Sequence, residues 1–167
     1  MVTLFDKDGR LKPNARKIAM LLAIFYAFGI GLMCFTPQTF SGMETPGIKH
    51  YGRLVVLLTP FNSLVHLEAI QSFGQLVWVI GQNMVNILLL FPLIFLLLCL
   101  LPSLRRRSRA CLLAFGLSLF IELTQLFLDW LIAANRVFEI DDLWTNTLGG
   151  LLAFWLFDYL FKKAPKA

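Results

Sequence analysis

Charge is what this sequence has least of. Asp, Glu, Lys and Arg make up only 15% of its 167 residues, against 58% apolar residues and a mean hydropathy of +0.74. No soluble core in a chain of this length could hide so much apolar surface, which excludes a soluble globular domain. Cysteine and histidine are scarce as well. Cys34, Cys99 and Cys111 sit in apolar runs without metal-ligand spacing and read as small core residues. His50 and His66 stand alone in one connection, as solvated interfacial residues would. There is no HExxH, no GxSxG and no Cys-His pairing, so the common hydrolase chemistries have no signature here. No cofactor is expected, and there is no internal repeat, soluble domain or low-complexity tract.

What is present is long apolar runs. A spanning helix needs about 20 mostly apolar residues, and four segments qualify. Ile18–Thr36 is uncharged, and so is Ala69–Leu104, with Leu76–Leu101 its most apolar part. Ala110–Leu128 contains only Glu122, and Leu143–Phe161 only Asp158. Lys7, Arg10, Lys12, Arg16 and Lys17 precede the first run, Arg105, Arg106, Arg107 and Arg109 separate the second from the third, and Lys162, Lys163 and Lys166 follow the fourth. Lys49, Arg53 and Arg136 occupy the other two connections, so twelve of the fifteen basic residues fall on one side. The positive-inside rule then puts both termini in the cytoplasm. The arginine cluster reads as a topogenic, lipid-facing group. The net charge of +5 is accounted for by anchoring to anionic lipid, and nucleic-acid binding is not needed to explain it. Trp78, Trp130 and Trp144 near the outer boundary, with Trp155 and Tyr159 near the inner one, fit interfacial belts.

The expected fold is therefore an all-α polytopic membrane protein with four transmembrane helices. Residues 1–16 form a cytoplasmic arm, 17–161 a single transmembrane domain and 162–167 a basic tail. The outer 37–75 connection opens with loop composition and continues through Leu54-Val-Val-Leu-Leu58. From Ser63 to Phe73 an amphipathic helix is possible, with Leu64, Leu67 and Ile70 on one side. This stretch is too short and polar to span, so an interfacial or re-entrant segment is expected.

Polar residues inside the runs are few and patterned. Ser118, Glu122, Gln125 and Asp129 are spaced four, three and four apart, which places them on one face of a helix. Gln75, Gln82 and Asn86 form a second line. Asp142, Asn146, Gly149, Gly150 and Ala153 make a third face, polar at one end and small further in, suited to close helix packing. Ionisable groups at membrane depth rarely face lipid, so they mark a functional site or a packed polar core. Arg136 lies where it can reach Glu122, Asp129 or Asp142, as a structural clamp or as the anchor of an anionic ligand. Glu122, Glu139, Asp141 and Asp142 could hold a hard cation, although their spacing matches no known loop. Glu122 with Asp142 could also act as an acid–base pair. Asn86 and Asn146 could equally bond between helices.

These residues resemble the VanZ-like family of small bacterial membrane proteins. Glu122-Leu-Thr-Gln125, Arg136-Val-Phe-Glu-Ile-Asp141-Asp142 and Asn146-Thr-Leu-Gly149 follow its ExxQ, R-x-x-D-x-x-D and N-T-x-G pattern, with Glu139 in place of an Asp. Leu58-Thr-Pro60-Phe61-Asn-Ser-Leu64 is similar to its LxPFxxI element. Asn86-Ile-Leu-Leu-Leu-Phe91-Pro92 is similar to its N…FxP element, without the glycine that follows. The family takes its name from a protein linked to teicoplanin resistance, so the resemblance implies a role at the cell envelope and a place in the bacterial cytoplasmic membrane. The expected function is binding of an amphipathic envelope lipid, a lipid-linked cell-wall precursor or a lipoglycopeptide in an outward-facing polar cleft. Glu122, Gln125, Arg136, Asp141, Asp142, Asn146 and Asn86 are its candidate residues, Arg136 meeting the anionic group. An intramembrane enzyme working through Glu122 and Asp142 is the alternative.

Overall fold

The structure is a computed structural model that describes residues 4–6, 9–39, 45–65, 68 and 72–161. Its long elements are α1 (Pro13–Phe35), α3 (Phe73–Leu100), α4 (Arg107–Ile132) and α5 (Ile140–Leu160). Between them lie three short strands, β1 (Lys49–Tyr51), β2 (Leu54–Leu57) and β3 (Val137–Glu139), and a one-turn helix α2 (Asn62–Val65). The expected basic tail at 162–167 and parts of the N-terminal arm fall outside the described residues.

α1, α3 and α4 are long and apolar enough to cross a membrane, with mean hydropathies of 2.4, 2.5 and 1.9 over their most apolar windows. α5 is 21 residues long but carries more polar groups. Local chemistry sets the ends. Pro13 opens α1, where a fixed φ fits and a missing N–H costs nothing. Ser72 caps α3 by accepting the Gln75 N–H at 3.2 Å. α4 closes on Ala133 in the left-handed region, at φ 53°. Pro92 inside α3 has no N–H to offer the carbonyl of Leu88. The Tyr26 hydroxyl of α1 reaches that gap, donating to Leu89 O at 3.1 Å and lying 3.5 Å from Leu88 O.

α5 is wedged between α3 and α4. A Cβ on Gly149 would lie 1.9 Å from the Ile87 carbonyl oxygen of α3, and one on Gly150 2.3 Å from Ala114 Cβ of α4. The small face read in the sequence is thus the contact surface itself. Below the glycines the core is apolar: Leu90, Ile94 and Leu98 of α3, Ala110 and Ala114 of α4, Ala153 and Phe157 of α5. The opposite flank of α1, with Ile18, Leu21, Phe25 and Phe28, is exposed, as a lipid-facing helix would be.

Two expectations are corrected. The fold is not purely helical. β1 and β2 form an antiparallel hairpin, and β2 runs parallel to β3 with Val56 opposite Phe138. Leu54–Leu57, in the outer connection where an interfacial or re-entrant segment was expected, is a strand of this sheet. Two β-branched valines favour extended backbone, and pairing on both sides satisfies its polar groups. In the described part of the 63–73 stretch, residues 63–65 belong to the one-turn α2, Glu68 lies in a 3-10 turn, and α3 begins at Phe73. Residues 66, 67 and 69–71 lie outside the described residues. The second correction is Arg105. It is not lipid-facing but 1% exposed. Its guanidinium donates to the carbonyls of Leu98 (2.9 Å), Cys99 (3.1 Å) and Gly9 (2.7 Å) and stacks on Phe5 and Phe157. The bundle thus has a sheet end and, opposite, an arginine end.

Candidate functional site

The polar face of α4 is buried along its whole length, Ser118 and Asp129 at 0% exposure. Each of its residues fastens a different neighbour. Ser118 Oγ donates to Asp142 O and accepts from Asn146 Nδ2, both at 3.0 Å, tying α4 to α5. Glu122 Oε2 accepts the Glu139 N–H of β3 at 2.9 Å. Gln125 Nε2 donates to Cys34 O of α1 at 3.1 Å. Asp129 Oδ1 accepts the Arg136 N–H at 2.8 Å. The helical spacing read in the sequence is a seam joining α4 to everything around it.

At the middle of this seam the carboxyl groups of Glu122 and Asp142 hydrogen-bond each other. Asn86 Nδ2 of α3 donates to Asp142 Oδ1 at 2.5 Å. Two carboxyls in contact need a proton between them, since two buried like charges cannot both ionise at that distance. Glu139 sits beside them at the end of β3. Burial pushes its carboxyl up to about 8, and the charges of Asp142 and Asp141 add to the effect. Among the described residues no lysine or arginine side chain pairs with any of these three acids.

Arg136 points elsewhere. Its Nε donates to Thr36 O at 2.9 Å and its Nη2 to Met33 O, with Thr36 Oγ1 at 3.4 Å. These are carbonyls at the C-terminus of α1, where a cation meets the negative end of the helix. Burial lowers the pKa of the guanidinium, and nearby Cys34 and Asp129 offset part of that. Of the three acids weighed as its partners, the Arg136 side chain thus pairs with neither Glu122 nor Asp142 among the described residues, and Asp129 meets its backbone N–H. The planar fork caps a helix. Asp141 is likewise engaged within the chain: it accepts from Phe61 N (2.7 Å), Asn62 N (2.8 Å) and Trp144 Nε1 (3.0 Å), stapling the loop before α2 to the first turn of α5.

A polar pocket of about 20 Å³ opens between α3, β2 and β3, lined by Thr45, Asn62, Gln82, Asn83, Asn86, Glu139 and Asp141 with Leu57 and Val79. That volume admits about one water-sized group. The Gln82 amide makes no hydrogen bond to the described residues, so it is free to serve an occupant. Among the described residues no group of three His, Cys, Asp or Glu side chains is placed to hold a metal ion.

Of the residues singled out in the sequence, Asn86 and Asp141 line the pocket, and Glu122 and Asp142 lie behind it, Asp142 joined to it through Asn86. Gln125, Arg136 and Asn146 do not reach it: the first two hold α1, and Asn146 binds Ser118 with its Oδ1 buried and unpartnered. Glu139, Gln82 and Asn83 line the pocket without having been chosen. Gln82 was visible in the polar line of α3. Glu139 was visible as the acid between Arg136 and Asp141.

Three membrane-length helices around a buried polar seam define a small integral membrane protein. The family comparison gives it a place: the VanZ/LLP1 family model matches residues 18–162, and the chain belongs to that family. Neither the curated proteins nor the solved structures include a match. The matched span contains the whole seam and the pocket.

Proposed function

We propose that the chain crosses the bacterial cytoplasmic membrane four times with both termini inside, and holds the polar head of an amphipathic envelope molecule at its sheet end. The observation that carries this reading is the pocket lined by Asn86, Glu139 and Asp141, with the unengaged Gln82 amide in its wall. Its size suits one terminal hydroxyl, amine or amide of a lipid-linked wall precursor or a teicoplanin-type lipoglycopeptide, the rest of the molecule lying along the bundle. Through such binding the protein would contribute to glycopeptide resistance. Glu122, Gln125, Asp142 and Asn146 shape the wall behind the pocket, and Arg136 holds α1 against it.

The four-span arrangement is supported by α5. At 21 residues it is about 31 Å long, close to the ~30 Å of a hydrocarbon core, and it runs from Asp141 at the sheet to Phe157 under Arg105. The test is equilibrium binding of a fluorescent lipid-linked precursor, and of teicoplanin, to purified protein in nanodiscs. Gln82→Leu, which disturbs no hydrogen bond within the described residues, should abolish binding while the protein stays folded. Unchanged binding would refute the reading. The contact between the Glu122 and Asp142 carboxyls favours one second reading, acid–base catalysis on the same lipid, and turnover of the precursor by purified protein would put it in place of the first.

A further inference from the structure

A second concavity lies at the sheet end, lined by none of the pocket residues. It is a groove of about 420 Å³ between the tip of the β1–β2 hairpin and the C-terminus of α4, lined by Tyr51, Arg53, Leu54, Trp130 and Leu131. The hairpin turns at Gly52, whose φ of 62° suits glycine, and this brings Arg53 over the end of α4. There its Nη1 lies 3.5 Å from both the Trp130 and the Leu131 carbonyls, the outer limit of a hydrogen bond. Its Nε and Nη2 donors make no hydrogen bond to the described residues, and neither do the Tyr51 hydroxyl and the Trp130 Nε1–H.

The polar side chains lining this groove can all donate, and no carboxylate lines it. That is the complement of an acceptor-rich anion. The surroundings narrow the choice further. Trp130 and Leu131 are exposed, and Phe127, also exposed, lies with its ring 5.9 Å from that of Trp130 on the side toward the middle of α4. α4 is apolar enough to cross a membrane, so the anion that fits must bring an apolar chain to cover these side chains. Tyr and Trp at such a boundary place their polar edges at headgroup level. We infer that this groove seats the phosphodiester headgroup of an anionic phospholipid, its phosphate on Arg53 between Tyr51 and Trp130, with an acyl chain along Phe127 and Leu131. The site neither uses nor requires the pocket between α3 and β3.

The test is native mass spectrometry of the purified full-length protein titrated with dioleoylphosphatidylglycerol, dioleoylphosphatidylcholine or inorganic phosphate. The wild type should retain one phosphatidylglycerol about tenfold more tightly than phosphatidylcholine, and Arg53→Gln should weaken phosphatidylglycerol about tenfold, to the level of phosphatidylcholine. Arg53→Lys should retain part of the preference, and millimolar phosphate should displace nothing. Wild-type affinity in Arg53→Gln, equal binding of the two lipids, or displacement by phosphate alone would each overturn the assignment. Should Arg53→Gln lose its helical circular dichroism, the Tyr51→Phe/Trp130→Phe double variant decides: weaker phosphatidylglycerol binding supports the site, and unchanged binding overturns it.

Discussion

Replacing Glu122 by Gln should leave the fold standing, and replacing it by Leu should not. Glu122 is 1% exposed. One of its oxygens accepts the Glu139 N–H at 2.9 Å, and the carboxyl also meets that of Asp142. In the Gln variant the side-chain carbonyl can keep the Glu139 N–H, and the amide can donate to Asp142, doing what the shared proton does. One hydrogen bond is exchanged for another, so stability should stay within about 1 kcal/mol of wild type. Leu has neither atom. The Glu139 N–H and the Asp142 carboxyl each lose a buried partner, at about 1–3 kcal/mol apiece, or about 2–6 kcal/mol in all. Thermal unfolding of the purified variants by circular dichroism reads the difference, and teicoplanin susceptibility of cells expressing them reads the proposed function. If the seam works through its proton, Glu122→Gln is stable and inactive. If the seam only packs, Glu122→Gln is stable and active. A Gln variant as unstable as the Leu variant, or a Leu variant as stable as wild type, would refute the account of the seam.

Glu139 holds its proton up to about 8 in the fold against an ordinary 4.5. The folded state therefore binds that proton more tightly, and the stability it contributes is complete below about 4.5 and lost as pH rises to about 8; Glu139→Gln should flatten this slope in a pH series of unfolding curves. Gly149→Ala would put a methyl 1.9 Å from the Ile87 carbonyl and should cost about 3 kcal/mol. Gly116→Ala, where nothing lies within 4 Å, should be neutral or stabilising by up to about 1 kcal/mol, and equal effects in thermal denaturation would count against the wedge. Arg136→Ala should destabilise by about 3 kcal/mol, since the carbonyls at the end of α1 lose a charged donor, and Arg136→Lys should recover only part of that in the same assay because a point charge cannot span both carbonyls. In intact cells, single cysteines at Lys49 and Asn135 should react with an impermeant maleimide and those at Arg106 and Arg107 should not; the reverse pattern would invert the topology.

The seam was legible because its signal is local. Ser118, Glu122, Gln125 and Asp129 lie within one helix, and the 3.6-residue period alone puts them on one side. The glycine face of α5 was legible for the same reason. The partners were not, because they are distant in the chain. Arg136 stands among acids in the sequence, yet its guanidinium binds carbonyls 100 and 103 residues away, and no side-chain pattern announces a backbone acceptor. β2 was hidden similarly: Leu54–Leu57 is a short apolar run without alternation, and its parallel partner β3 begins after two intervening long helices. Arg105 could not be told from Arg106 and Arg107 by composition. What separates it is the position of Phe5, Gly9 and Phe157 around it, which only the folded chain supplies.

The closure at Arg105 has a consequence for traffic through the bundle. Beneath the seam, Leu90, Ile94, Leu98, Ala114, Ala153 and Phe157 form an apolar core, and below them the guanidinium ties Leu98, Cys99 and Gly9 together. An ion leaving the carboxyl pair in that direction would have to shed its water among aliphatic side chains and then pass a fixed positive charge, both prohibitive in a medium of low dielectric constant. On the proposed topology this arrangement is a blind well rather than a conduit. Whatever entered beside Asn86 would leave by the same mouth, and a proton exchanged at the buried acids would come from, and return to, a single side of the membrane.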